Sequence, residues 1–269
     1  MFALIGSEFA KLKRTLVPLV CIAAPLCAAT FTLLFVLRLR GGEQWLNLLG
    51  EGAATWAFFL LPMSITALTI LLAQIEHAPK MWTHLLSLPA PRSTIFAAKV
   101  VVAFGLTGVM SVIGYALIYA ALWLGEFVKP GVQLVGDAQF DELALAFALM
   151  AAGAGLMIVV QLWAALRFRG FAIPLVMGIV GTFAALALAS SVRGVLLPWF
   201  IPTYVLTLQQ PSSQIAIWFG AVGGVVAAVA MVFHLGRQER FDYLERVVGI
   251  LHASRLGRRR CGPTLHRVR

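Results

Sequence analysis

The sequence carries little charge for its length. Asp, Glu, Lys and Arg together make up 12% of 269 residues, whereas 61% are hydrophobic and the mean hydropathy is +0.91. Ordinary globular domains are about one quarter charged and about one half apolar. This shortage of charge excludes a water-soluble globular domain and indicates a chain whose main solvent is lipid.

Cysteine is also scarce. The chain has three, of which Cys21 and Cys27 lie six residues apart on different faces of one predicted helix and Cys261 lies in a basic tail. This spacing fits neither a metal motif nor a disulfide framework. We therefore interpret the cysteines as small packing residues plus a single thiol, and we expect no metal and no cofactor bound by this chain.

The sequence also lacks the usual sites that capture energy or catalyse a reaction. No lysine precedes Ser or Thr, which excludes the phosphate-binding loop GxxxxGK[ST], so we do not expect an enzyme that hydrolyses ATP. The apolar runs carry no carboxylate in mid-span, which disfavours a proton relay or an ion site. Lys99, Gln161 and His234 fall near the ends of their runs, where we expect the side chains to reach the membrane interface.

What the sequence does have is a series of long apolar runs. A bilayer core needs roughly 20 apolar residues per helix, and the alternation of a membrane barrel is absent. The predicted fold class is all-α: a polytopic membrane protein of six transmembrane helices forming one transmembrane domain. The predicted spans are 15–37, 53–75, 95–124, 143–166, 171–190 and 215–235, within a domain of residues 1–250 that is followed by a basic cytoplasmic tail, 251–269.

The basic residues predict the orientation of these spans. Seventeen Lys and Arg fall on one side and four on the other, and short loops rich in basic residues stay in the cytoplasm. Both termini are therefore expected inside. The net charge of +10 follows from this bias, and the tail, although it contains Arg258 to Arg260, lacks the aromatic stacking partners of a nucleic-acid module. We expect contact with lipid headgroups and no nucleic acid.

Two further segments show interfacial patterns. At the N-terminus, Phe2, Ile5, Phe9 and Leu12 recur at spacings of three and four residues, which predicts an interfacial helix with Glu8 and Lys11 elsewhere on its surface. On the outer side, an apolar segment between the fifth and sixth spans contains Pro198, Trp199, Pro202 and Tyr204. Its prolines exclude one continuous helix, and we expect a re-entrant or interfacial hairpin, with a plain interfacial loop as the alternative.

The inner loop from Glu76 to Lys99 carries a third pattern. Pro79 and Pro89 bracket about two helical turns, on which Met81, Trp82, Leu85 and Leu86 form an apolar patch. A patch of this kind on a cytoplasmic loop binds either lipid or a groove in a partner protein, and the pattern alone leaves both open.

This loop resembles the first cytoplasmic loop of ABC exporter permeases of the lantibiotic-immunity kind, a type-2 exporter class. The resemblance is carried by Glu76, Trp82, the run LLSLPAPR, Ile95 and Lys99, and the N-terminal SEFAKLKRT is similar to the opening helix of those proteins. It implies a dimer of permease subunits, each binding a separate ATPase that holds ATP and Mg²⁺. In this chain it implies that Trp82, Leu85 and Leu86 form the contact, Pro89 the exit turn, and Arg92 and Lys99 the return to the headgroups.

The leading hypothesis is therefore the permease subunit of an ATP-driven exporter in the bacterial inner membrane, moving peptide, lipid-like or drug-like cargo. The partners expected are a cytoplasmic ATPase, a second permease subunit and membrane lipids. Two alternatives stay open: a non-transporting scaffold or sensor that recruits partners through its basic tail, and an ion-coupled secondary transporter.

Overall fold

The computed structural model describes the backbone at residues 2–39, 41, 43–77, 92–129, 134–136, 140–168, 170–188, 197–207 and 211–260. Most of these residues are helical, as predicted. In chain order the elements are α1 (Phe2–Leu12), α2 (Val17–Arg38), α3 (Trp45–Thr55), a π-helix (Trp56–Leu60), α4 (Leu61–His77), α5 (Arg92–Val128), α6 (Phe140–Gly153), α7 (Gly155–Arg167), α8 (Ala172–Ala187), a 3₁₀-helix (Ile201–Thr207) and α9 (Pro211–Arg260).

Each of the six predicted spans overlaps a helix, but six uniform spans are not confirmed. Four stretches within the described residues are long and apolar enough to cross a membrane: Val17–Arg38, Trp45–His77, Ser93–Val128 and Ser213–Arg237. A fifth is obtained if α6 and α7, which are bent by 40° at their junction, count as one span. The second stretch begins at Trp45 and not at 53, because α3, the π-helix and α4 follow one another without a break.

The two departures from the predicted pattern are a bent span and a short helix. α6 and α7 are separated at Gly153–Ala154–Gly155, where two glycines weaken the helix. α8 has 16 residues, which at 1.5 Å per residue is about 24 Å and shorter than a bilayer core of about 30 Å. The bent span and the short helix follow one another in the chain, so the helices between residues 140 and 187 do not form straight, full-length spans.

The helices pack around a core of large apolar side chains. α2 lies along α5, while α7 contacts both α4 and α9. Trp56, the first residue of the π-helix, is fully buried and stacks on Phe147 of α6 with ring centroids 6.0 Å apart. The segments that follow α2 and α5 meet in a two-residue parallel bridge, in which Glu43–Gln44 pairs with Leu134–Val135.

Glycine lets α9 approach the α6–α7 break closely. A Cβ atom on Gly220 would lie 2.1 Å from the carbonyl oxygen of Gly153, and one on Gly224 would lie 2.5 Å from the carbonyl carbon of Gly155. Both contacts are with backbone, so no side chain can rotate out of the way. The small residues of α9, which is the last helix, therefore allow it to pack directly against the bent span.

The predicted outer segment is buried against the bundle. Residues 197–200 form a turn that leads into the 3₁₀-helix, which contacts α6 and α9. Trp199 and Pro202 are buried, whereas Pro198 and Tyr204 are half-buried. The indole of Trp199 lies against Gly181 of α8, and the rings of Phe200 and Tyr204 meet edge to face at 5.0 Å. Whether this segment lies in the interface or re-enters the bilayer stays a prediction.

Candidate functional site

Four ionisable side chains from three helices meet at one end of the bundle. Lys99 of α5 places its Nζ atom 2.7 Å from Oε1 of Glu76 on α4 and 3.0 Å from Oε2 of Glu8 on α1. Lys11 Nζ lies 2.5 Å from Oε1 of Glu8 and 3.3 Å from Oε1 of Glu76. We call Glu8, Lys11, Glu76 and Lys99 the ion-pair cluster. It joins α1 to the two helices that flank the inner loop.

Three of the four members of the ion-pair cluster are buried, and Lys11 is partly exposed. Glu76 and Lys99 are 0% exposed and Glu8 is 4% exposed, and they are the only buried charged residues among the side chains that the structure describes. Burying an unpaired charge is very costly, whereas two carboxylates and two ammonium groups in contact compensate one another. Each member is therefore held in place by the two members of opposite charge.

Local helix preferences do not explain this arrangement. Glu76 lies in the last turn of α4, where the partial negative charge of the helix end repels a carboxylate. Lys99 lies two turns into α5, beyond the first turn in which the helix end acts on a charge. The pairing of Glu76 with Lys99 and Lys11 therefore offsets the unfavourable position of Glu76.

The electrostatics of α1 keep its two members of the cluster ionised. Burial opposes ionisation of Glu8, but the charges and hydrogen bonds of Lys99 and Lys11 outweigh it and lower the pKa of that carboxyl group. Burial likewise acts to lower the pKa of Lys11, yet the contacts with Glu8 and Glu76 raise it above its usual value. Glu8 thus stabilises the fold at pH values above the ordinary pKa of a carboxyl group, and Lys11 does so at pH values below the ordinary pKa of a lysine. Both contributions are present near neutral pH.

One oxygen of the cluster has no hydrogen-bond partner within the described part of the chain. Glu76 Oε2 is buried and unpaired there, while Oε1 of the same carboxylate binds both lysines. The next residue, His77, places Nε2 3.2 Å from the carbonyl oxygen of Ala165 in α7. The end of α4 is therefore connected to α1 and α5 by charge and to α7 by this contact.

The structure brings together only some of the residues predicted for the inner loop. Glu76 and Lys99 are in direct contact, but Trp82, Leu85, Leu86 and Pro89 lie outside the described residues. Arg92 begins α5, and its side chain is also outside the described set. Lys99 does not reach for headgroups as predicted, because the two carboxylates hold it inside the protein.

Two other polar residues were expected near the interface. Gln161 is fully buried, and its side-chain nitrogen donates to the carbonyl oxygen of Pro174 at 2.6 Å, which lowers the cost of burying the amide. His234 is exposed and lies beside Trp163, with ring centroids 6.4 Å apart. Among the described residues, no group of three or more His, Cys, Asp or Glu side chains is placed to hold a metal ion.

Residues 2–12 form a helix, as predicted, and the position of α1 in the membrane interface stays a prediction. Ile5 is half-buried and Leu12 is buried as part of the apolar stripe, yet Phe9 is 44% exposed and Glu8 takes its place against α5. Glu8 lies three residues after Ile5 and four before Leu12, so helical spacing alone puts all three on one face. That spacing is the feature of the sequence from which the burial of Glu8 could have been predicted. The side chain of Phe2 is not among those described.

The chain matches a known protein family. A family model described as "ABC-2 family transporter protein" matches residues 4–185, which include most of α1, the whole of α4 and α5, and all four members of the ion-pair cluster. No curated protein and no solved structure matches the chain.

Proposed function

Because this chain belongs to the ABC-2 family of transporters, as the match over residues 4–185 shows, we propose that it is the permease subunit of an ATP-driven exporter of the lantibiotic-immunity kind. Family membership makes it a multi-pass membrane component of an ABC transporter and implies an ATPase partner. The proposal adds that the ATPase binds the inner loop through Trp82, Leu85 and Leu86. ATP and Mg²⁺ are then held by that partner.

The observation that carries the proposal is the ion-pair cluster at the base of the inner loop. Glu76 is the penultimate residue of α4 and Lys99 lies two turns into α5, so the loop is anchored at both ends by side chains that touch each other. Force applied to the loop by a partner would reach α4 and α5 together. Glu8 and Lys11 would pass the same displacement to α1.

The proposed cargo is amphipathic or apolar: a peptide, a lipid-like molecule or a drug-like molecule. Apart from the ion-pair cluster, the described part of the bundle buries no charged side chain, and its buried polar groups are mostly hydroxyls of Ser and Thr. A transport passage formed by such residues would have no fixed charge to bind an ion. It is compatible with a cargo that enters from the membrane or its surface.

We further propose that two permease subunits form a dimer in the bacterial inner membrane, with both termini in the cytoplasm. The bias of seventeen basic residues to four supports this orientation. The contact between His77 and Ala165 agrees with it, because it places the ends of α4 and α7 on one side of the bundle.

Co-purification after mild detergent extraction tests the docking role of the inner loop. We expect the wild-type chain to recover its ATPase and Leu86→Asp to recover less than about one tenth as much, because a carboxylate in an apolar contact is left desolvated and unpaired. Leu46→Asp is the matched control. Leu46 is 54% exposed at the start of α3, at the other end of the Trp45–His77 span, and this substitution should leave recovery unchanged.

Size-exclusion chromatography of each variant establishes that it is folded before recovery is compared. A monodisperse Leu86→Asp variant that retains the ATPase as well as the wild type would refute the docking role. Equal loss in both variants would show that the effect does not depend on the inner loop.

A further inference from the structure

An apolar groove runs between α7 and α9 on the outside of the bundle. It has a volume of about 570 Å³ and is lined by Val160, Trp163, Ala227, Ala230, Met231 and His234, among others. Ligand sites in proteins usually enclose about 300–1,000 Å³. The groove is thus large enough for part of a small molecule or for a lipid chain, and it lies away from the ion-pair cluster.

The groove follows from the sequence of small residues on α9. Gly224 brings the backbone of α9 against Gly155 of α7, and the next turns of α9 carry alanine at 227 and 230. Opposite them, α7 presents Val160 and Trp163. The alanines are too short to fill the space beside the indole, so a channel open to the surroundings remains between the two helices.

The polarity of the groove changes along its length. Its walls are apolar up to His234, whose imidazole lies beside the Trp163 ring. Arg167 lies one turn beyond Trp163 on α7, and Arg237 lies one turn beyond His234 on α9; both side chains are exposed. Helical spacing therefore puts Arg167 and Arg237 beyond the same end of the apolar groove as the imidazole of His234.

This basic end is on the same side of the bundle as the ion-pair cluster. His77 contacts Ala165 near the end of α7, and Gly236 of α9 lies next to Ser93 at the start of α5. In the proposed orientation this is the cytoplasmic side. The guanidinium groups then lie at the level of the inner-leaflet headgroups, and the apolar part of the groove lies at the level of the acyl chains.

We propose that the groove binds an anionic phospholipid of the inner leaflet, with one acyl chain against Trp163, Ala227 and Ala230 and the phosphate at Arg167 and Arg237. Guanidinium groups bind phosphate through paired hydrogen bonds, and basic residues at a membrane surface favour anionic lipid. A second copy of the chain fits less well, because a two-fold contact through this face would bring the same guanidinium groups of both copies together.

Native mass spectrometry of the full chain released from nanodiscs tests the headgroup contact. The nanodiscs contain phosphatidylcholine and phosphatidylglycerol in equal amounts. We expect the wild type to retain phosphatidylglycerol in preference, and Arg167→Gln/Arg237→Gln to reduce that preference about tenfold or more, since two basic residues at the surface are removed. Arg14→Gln, which removes an exposed arginine outside the groove, should retain the wild-type preference.

The acyl-chain contact is tested independently. Ala230→Trp fills the groove and should abolish retention of phosphatidylglycerol, whereas Val229→Trp, at an exposed position one residue away, should not. Phosphatidylglycerol with brominated acyl chains should quench the fluorescence of Trp163, measured as the difference between the wild type and Trp163→Phe. In the double arginine variant this quenching should fall to the level expected when the two lipids occupy the groove in proportion to their amounts.

Equal retention of the two lipids by the wild type, or an unchanged preference in the double arginine variant, would overturn the proposal. So would a shift of Ala230→Trp from dimer to monomer with unchanged lipid retention, since the groove would then be a contact between copies of the chain. None of these outcomes depends on ATPase recovery. The lipid proposal and the docking role of the inner loop can therefore be refuted independently of each other.

Discussion

Lys99→Met should lower the free energy of unfolding by about 3–5 kcal/mol. The substitution keeps the apolar stem but removes the ammonium group that lies 2.7 Å from Glu76 and 3.0 Å from Glu8. Lys11 then faces two buried carboxylates alone, and removing one partner of a buried ion pair typically has this cost. Thermal unfolding in detergent, followed through tryptophan fluorescence, measures the effect.

A charge-balanced double variant separates charge from packing. Lys99→Met/Glu76→Gln leaves one carboxylate, Glu8, and one ammonium group, Lys11, in contact at 2.5 Å. We expect it to regain most of the stability lost in the single variant, because the uncompensated buried charge is gone. If the double variant is no more stable than Lys99→Met, the charges are not what holds α1, α4 and α5 together.

Gly220→Ala should destabilise the bundle by about 3 kcal/mol, at the upper end of the usual cost of overpacking. The added methyl group would lie 2.1 Å from the carbonyl oxygen of Gly153 and 2.8 Å from Ile201. Since the first contact is with backbone, α9 must move away from the α6–α7 break. A fall in melting temperature is the expected result.

Gly223→Ala is the control within the same helix. A methyl group there would meet only the side chain of Leu156 at 3.6 Å, which is ordinary van der Waals contact. Alanine also favours a helix over glycine, so the melting temperature should stay the same or rise slightly. Equal destabilisation by both substitutions would contradict the close approach of α9 to the broken span.

Hydropathy was sufficient to locate the helices, because lipid requires long apolar runs and satisfied backbone groups. It was not sufficient to show how the later helices depart from straight spans. The 40° bend at Gly153–Gly155 depends on α9 packing against it, and the 16-residue length of α8 depends on where the chain turns. A hydropathy average over a window of about 20 residues detects neither a contact between distant segments nor the exact position of a turn.

The ion-pair cluster was predictable only in part. The resemblance to ABC exporter permeases singled out Glu76 and Lys99, but the position of Lys99 near the end of an apolar run suggested that it would reach the interface, and Glu8 was placed off the apolar stripe of α1. Both expectations considered each helix alone. The pairing of Lys99 with Glu8, 91 residues away in the sequence, exists only after α1 packs on α5. The one early sign was that Glu8 shares a helical face with Ile5 and Leu12.

Transport by reconstituted liposomes tests the central claim, that this permease has no energy source of its own. Liposomes containing the chain alone, under an imposed proton or sodium gradient, should not accumulate a fluorescent amphipathic probe. Liposomes that also carry the co-purified ATPase should accumulate it when ATP is supplied on the side of the ATPase. Accumulation by the chain alone, driven by the ion gradient, would contradict the account.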